Sequence, residues 1–325
     1  MFKLALVGAG RIGRIHARNA ALHPRLELAA VVDPAEAAAQ SLAAEWGAAV
    51  RSLEQVLADP AIAGIIVAGS TDTHLDHSVR AVAAGKAVFC EKPIDLDLQR
   101  AREAAGALDG ARLLLAFNRR FDPNFRALKA KLDGGGIGTI ESLQITSNDP
   151  APPPPSYVAV SGGLFKDMAI HDFDMARWLL GEEPVEVYAT GSCLVDPEIG
   201  RLGDVDTART LLRTASGRLC VVANSRRSGY GYDQRIEAYA SAGMVSADNV
   251  RESTVQLFTA DGSTADRLQN FFLDRYAQAY RAEMDHFADM LAGAAPAVGY
   301  ADGVAALALA EAAGRSLASG EPVRL

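Results

Sequence analysis

The chain has 325 residues, 49% of them apolar and 22% charged, and a formal net charge of −8 at neutral pH. That length suits two domains and that composition a globular protein, while the negative balance argues against a nucleic-acid backbone as partner. The three cysteines, Cys90, Cys193 and Cys220, are odd in number and widely spaced, which excludes a disulfide framework or zinc pattern and predicts a reducing compartment, the cytoplasm.

Met1 to Gly10 reads as a strand running into a glycine cluster, not as a signal peptide. Lys3 to Val7 is short and apolar, as a buried parallel strand is. Gly8-Ala9-Gly10-Arg11-Ile12-Gly13 follows, then a helical pattern through Ile15, Ala17 and Ala20, then a strand over Leu26 to Val32 that ends in Asp33. A Gly-x-Gly-x-x-Gly between strand and helix, with an acid twenty residues past its last glycine, is a dinucleotide fingerprint. Gly8 permits the tight turn, Gly10 lets a pyrophosphate approach the helix N-terminus beside Arg11 and Ile12, and Gly13 lets helix and strand pack. Asp33 suits free ribose hydroxyls, and Pro34 and Ala35 offer no cation for a 2′-phosphate, so NAD is expected over NADP.

The alternation continues with helices at 34–46 and 53–57 and a strand at 64–68. The polar turn Ser70-Thr71-Asp72-Thr73-His74 follows, at the strand end where open α/β sheets bind ligands. After helix 74–84, strand 87–90 ends in Glu91-Lys92-Pro93, which puts Lys92 on the same edge; the bland alternative is a surface lysine paired with Glu91. Helix 95–108 and strand 112–117 complete the unit. His74 and His77, three apart, are expected to be solvated rather than metal-bound, and no metal is assigned.

Composition shifts after Asn118 to Pro123. A helix at 124–132 and a strand at 139–147 precede Asn148, Asp149 and the prolines 152–155, which read as a stiff surface loop. A helix then opens at Gly162-Gly163 and carries Asp167 and His171, four apart and so on one face, a pair able to move a proton. Alternating segments at 185–192, 207–214, 218–225, 234–241 and 253–259, with turns at Gly191, Gly217, Gly243 and Gly262, predict an antiparallel sheet. Helices at about 273–292 and 301–318 close the chain. The Ala-rich 303–313 is too short for a bilayer and carries Glu311.

Gly8-x-Gly10-x-x-Gly13, Glu91-Lys92-Pro93 and Asp167-x-x-x-His171 together resemble the glucose-fructose oxidoreductase/inositol dehydrogenase/rhizopine-catabolism family over nearly the whole length. The strings Asn118 to Asp122, Asp149 to Pro153, Gly163 to Asp174 and Tyr230 to Asp233 are most similar to its inositol 2-dehydrogenase branch. The resemblance implies an α/β fold: a Rossmann domain over 1–120, then an α/β domain over 121–325 with a large, mostly antiparallel open sheet, helix 301–318 being free to pack back on the first. It implies that Gly8, Gly10, Arg11, Ile12, Gly13, Asp33, Ser70, Thr71, His74, Glu91 and Lys92 bind NAD in a cleft between the domains. It also implies a lysine, Lys92, beside a cis proline that holds the reacting hydroxyl. The acid/base would be His171 with Asp167 in support, and Arg119, Asp149 and Tyr230 would contact polyol hydroxyls.

The expected reaction is oxidation of a cyclic polyol, myo-inositol first, to 2-keto-myo-inositol. The alternatives are scyllo- or chiro-inositol, a pyranose sugar, or a non-catalytic dinucleotide-binding regulator. Asn148 stands where related inositol enzymes often carry arginine and bears on the choice of polyol. The expected partners are the small polyol and further copies of the chain, as a tetramer or dimer, with no nucleic acid and no membrane.

Overall fold

The computed structural model describes residues 1–325. The apolar runs of the first third become β1 (Phe2–Val7), β2 (Leu26–Val32), β3 (Ala49–Val50), β4 (Ile62–Val67), β5 (Ala87–Cys90) and β6 (Leu113–Leu115). They pair in parallel in the order β3-β2-β1-β4-β5-β6. Leu4 to Leu6, Ile65 to Val67 and Val88 to Cys90 are fully buried, as expected of strands covered on both faces. The strand order reverses between β1 and β4, so the carboxyl ends of these two strands form the crevice where such sheets bind ligands.

The second sheet is built from β7 (Ile140–Asn148), β8 (Pro184–Ser192), β9 (Thr207–Thr214), β10 (Leu219–Ser225), β11 (Asp233–Ala240), β12 (Gly243–Ala247) and β15 (Val323–Arg324); β13 (Gln256–Thr259) and β14 (Gly262–Ala265) form a separate hairpin. Its order is β12-β11-β7-β10-β9-β8-β15, and its neighbours are antiparallel except β7 and β10. Alternation fixes the faces. Ala208, Thr210 and Leu212 of β9 are buried while Arg209, Leu211 and Arg213 are exposed, and helix Ile170–Leu180 packs on the buried side of β7.

The chain divides into two units, Met1–Phe121 with Ala279–Leu307, and Asp122–Gln278 with Ala308–Leu325. The first segment ends at Phe121, and residues 279–307 join it from late in the chain. The late helix groups with the first sheet because Phe287 meets Phe89 edge-on at 5.7 Å and lies where a side chain on Gly64 would have to go. Gly303 likewise sits against Leu115, with no room for a Cβ.

Other differences are local. The proline run ends in a helix, Pro155–Ser161, since proline at the first helical position gives up an N–H that no partner needed. Gly191 lies inside β8 and Gly243 opens β12 rather than making turns. No helix is long and apolar enough to cross a membrane.

Candidate active site

In the first unit the site is built on backbone. Gly8 has φ +107°, and a Cβ there would lie 2.4 Å from the Ala68 carbonyl oxygen. A Cβ on Gly13 would lie 1.9 Å from the Gly8 carbonyl oxygen, so the helix rests directly on the loop. Gly10 is different: a Cβ there would meet nothing within 4 Å. It caps helix Arg11–Ala21 with no side-chain hydrogen bond and no acid in the first turn, so the first amides of the helix have no intrahelical partner and the positive end of the helix dipole lies at Gly10. The Asp33 carboxylate follows β2 and spans the loop, accepting from Ala9 N–H at 2.6 Å and Ala35 N–H at 2.8 Å. Each carboxylate oxygen keeps a second lone pair for a ribose hydroxyl. These features fit a dinucleotide.

Ser70 and Thr71 follow β4 at the same edge, where Thr73 Oγ1–H donates to the Ser70 carbonyl at 2.7 Å and rounds the turn. His74 is buried, not solvated: Nδ1 lies 2.8 Å from the Pro93 carbonyl and Nε2 3.3 Å from the Gly69 carbonyl. It ties the turn after β4 to the turn after β5. The Lys92–Pro93 peptide bond is cis, and Lys92 is partly exposed while Glu91 points inward. Glu91 is no surface partner; its Oε1 lies 2.6 Å from Nε2 of the fully buried His16. Arg119 is buried in the 3₁₀ turn Asn118–Phe121 at the end of this unit's first segment.

In the second unit the site is built on side chains. β7 and β10 run parallel and end together, Asn148 opposite Ser225, and β11 starts beside them with Asp233 opposite Asn148. One end of three adjacent strands thus gathers Asn148, Asp149, Arg226 and Asp233. Arg226 is 4% exposed. It donates through Nη1 to Asp149 Oδ2 at 3.3 Å and through Nη2 to Asp167 Oδ2 at 2.9 Å. Burial works against its charge, but the two carboxylates outweigh that and push its pKa up.

Asp167 also accepts at Oδ1 from the Tyr157 hydroxyl at 2.9 Å. Neither Arg226 nor Tyr157 was singled out from the sequence. The one available signal was the Arg226-Arg227 pair at a strand end; Tyr157 lay between the proline run 152–155 and the helix expected at Gly162, where no element was read.

The helix expected at the glycine pair opens with a π turn, Leu164–Ala169, before the α-helix Ile170–Leu180 that carries half-buried His171. Wide turns of this kind recur at functional sites. Asp204 holds the first amide, accepting from Leu164 N–H at 3.0 and 3.1 Å, and a Cβ on Gly163 would lie 2.8 Å from it, which accounts for the glycine. The neighbouring acids go elsewhere, Asp172 to the Asn224 amide at 2.8 Å and Asp174 to Arg177 at 3.6 Å. Tyr230 is 62% exposed and donates to Asp233 Oδ2 at 2.5 Å. Asp233 also accepts from Asn148, Arg235 and Asn249. Burial raises its pKa, yet these bonds, led by Arg235, bring it below the ordinary carboxylate range.

Residues 2–118 match the oxidoreductase family with the NAD-binding Rossmann fold, and residues 125–246 match the GFO/IDH/MocA C-terminal domain. The chain is 47% identical over 319 residues to the inositol 2-dehydrogenase of Rhizobium meliloti, covering 97% of each chain. It is 45% identical to the myo-inositol 2-dehydrogenase of Thermotoga maritima, covering 99% of this chain and 98% of that one. The crystal structure of a myo-inositol dehydrogenase from Corynebacterium glutamicum superposes with a TM-score of 0.95 at 45% identity, over 100% of this chain and 99% of that one.

Proposed function

The chain belongs to the GFO/IDH/MocA oxidoreductase family, and from that premise we propose that it oxidises myo-inositol at one ring hydroxyl to 2-keto-myo-inositol, with NAD as the acceptor. The observation that carries this reading is the Asp149–Arg226–Asp167 array, which gathers charged hydrogen-bonding groups at one strand end, as a polyol without charge of its own requires. The uncapped helix at Gly10 and the Asp33 carboxylate would hold NAD. Bound NAD supplies the hydride acceptor.

The residues of this chain do the rest. Lys92 holds the reacting hydroxyl and stabilises the alkoxide as it forms. His171 takes the hydroxyl proton, and Asp167 supports the charge that the imidazole gains. Asp167 is itself held by Tyr157 and Arg226, so its carboxylate is fixed before substrate arrives. Asp149, Tyr230 and Arg119 bind the remaining hydroxyls, with Asn148 setting which isomer fits. Ser70, Thr71 and Glu91 shape the cofactor edge, and His74 braces it through the Gly69 and Pro93 carbonyls.

The protein works as a homo-oligomer, a dimer or a tetramer, in the cytoplasm. Tyr188, Leu211 and Val221 form one exposed row across the second sheet, and Leu219, Tyr239 and Met244 lie in the next. An apolar face of that kind calls for a second copy, and light scattering reads the assembly. The three free thiols suit a reducing compartment.

The test is reduction of NAD and NADP measured with myo-, scyllo- and chiro-inositol, glucose and simple secondary alcohols. Myo-inositol with NAD is expected to give the highest kcat/KM, and loss of single ring hydroxyls to cost large factors. Good turnover of a small alcohol or acyclic hydroxy acid with none of any inositol overturns the reading.

A further inference from the structure

His16 lies one turn beyond Gly13 on the helix that starts at the glycine loop, and its side chain is fully buried. Its ring is clamped edge-on by Phe89 at 4.6 Å and Tyr280 at 5.8 Å. Nε2 lies 2.6 Å from Glu91 Oε1, and Glu91 Oε2 accepts from the Lys92 backbone N–H at 3.3 Å. The path therefore runs from the helix that faces the dinucleotide, through one carboxyl group, to the backbone of Lys92.

The charge state of that carboxyl is set locally. Burial works against ionisation of Glu91, but the hydrogen bond from His16 leads the opposing influences, and the net effect is a pKa below the ordinary glutamate range. Glu91 is then a carboxylate, which only accepts, so His16 Nε2 carries the proton and donates. Glu283, also fully buried, has no hydrogen-bond partner at either oxygen, and burial together with the charge on Glu91 pushes its pKa well up. Of two buried acids in one region, the one that His16 touches keeps the charge.

The geometry points to His16 as a positioning residue for Lys92, locking the Glu91-Lys92-Pro93 turn to the helix behind the glycine loop so that the ammonium stays where the alkoxide forms. This rests on the assignment of Lys92 as the group that holds the reacting hydroxyl. Without the His16 donor, the Glu91 carboxylate keeps a single hydrogen bond from the Lys92 N–H, and the turn loses its tie to the glycine-loop helix, keeping those of Glu91 N–H to Val67 and of His74 to the Pro93 carbonyl. Displacement of a reacting group by about 1 Å is enough to cost roughly a hundredfold in rate.

The test is a double-mutant cycle of His16→Leu and Lys92→Ala in the full-length protein, reading kcat, the KM for NAD, and the Kd for NADH from quenching of tryptophan fluorescence. In the wild-type background His16→Leu is expected to lower kcat about 10- to 100-fold, with the KM for NAD and the Kd for NADH changed less than about threefold. In the Lys92→Ala background the same change is expected to lower kcat less than about threefold, because there is no ammonium left to misplace. His16→Gln, whose amide N–H reaches the place of Nε2, is expected to recover kcat to within about fivefold of wild type, and His16→Asn, whose donor is one bond short, to behave as His16→Leu. If His16→Leu does not fold, the Asn variant takes its place in the cycle. Equal losses in both backgrounds, a loss explained wholly by weaker NADH binding, or an unimpaired His16→Leu each overturn the inference. A Lys92→Ala enzyme with wild-type turnover instead overturns the assignment of Lys92 itself.

Discussion

The ends of the two sheets that carry the proposed site residues are made of different materials. The edge of the first sheet is backbone: glycine amides, a helix end and one aspartate, drawn mostly from residues 8–13 and 33. The edge of the second sheet is side chain against side chain, with Arg226 reaching Asp149 across 77 residues and Asp167 across 59. A backbone site tolerates change wherever the chain already has room and fails where it has none. A side-chain site fails by leaving charges unpaired in a buried place.

The largest expected effect falls on the side-chain edge. His171→Ala should lower kcat about a hundredfold to ten-thousandfold while the Kd for NADH stays within about threefold, since a general base contributes on that scale and the dinucleotide is assigned to the glycine loop and Asp33. Stopped-flow hydride transfer and a fluorescence titration separate the two quantities. Normal turnover at neutral pH would remove His171 from the mechanism and leave the π turn as a packing feature.

Arg226→Leu should come next. It leaves Asp167 and Asp149 facing each other with their shared cation gone, and breaking a buried pair of this kind costs about 3–5 kcal/mol of stability. Urea unfolding measures it, and kcat/KM for the polyol should fall at least tenfold. A variant as stable as the parent would show the array to be solvated rather than buried.

The glycines sharpen the contrast within the backbone edge. Gly13→Ala puts a methyl group 1.9 Å from a carbonyl oxygen and should lower the melting temperature of the apo protein. Gly10→Ala meets no protein atom and should leave that temperature within about 2 °C, yet weaken NADH binding about tenfold or more, because the methyl occupies the approach of the pyrophosphate. Unchanged NADH affinity in Gly10→Ala would place the pyrophosphate elsewhere.

The smallest effect concerns Glu283. Its folded-state pKa is raised by burial and by the Glu91 charge. Between the ordinary glutamate range and that raised value the unfolded chain is ionised while the folded chain keeps its proton, so stability falls as pH rises through this window. Glu283→Gln removes that loss. It should raise the melting temperature by a few degrees at pH 8 and by less at pH 5, as differential scanning calorimetry would read. An equal shift at both pH values would show an effect of packing alone.

Local order was open to inspection in the sequence. The glycine spacing, Asp33 twenty residues on, the strand ends at Ser70 and Glu91 and the period of β9 all follow from steric rules that act over a few residues. Asp167 and His171, four apart, were expected on one helix face, but Asp167 falls in the π turn Leu164–Ala169, where four residues no longer make a full turn. Tertiary structure decided what those residues face. No local pattern shows that Arg226 stands between Asp149 and Asp167, because the contact exists only once β7 and β10 lie parallel and end together.

The same holds for Glu91 and His74. Their polarity near a strand end suggested exposure, and both turn inward, Glu91 against His16 and His74 against the Gly69 and Pro93 carbonyls. The late helix joins the first unit for a similar reason: the fit of Phe287 against Phe89 and Gly64 is a matter of shape between residues some 200 positions apart. Periodicity along a chain records which face is buried, but carries no information on which distant face it meets.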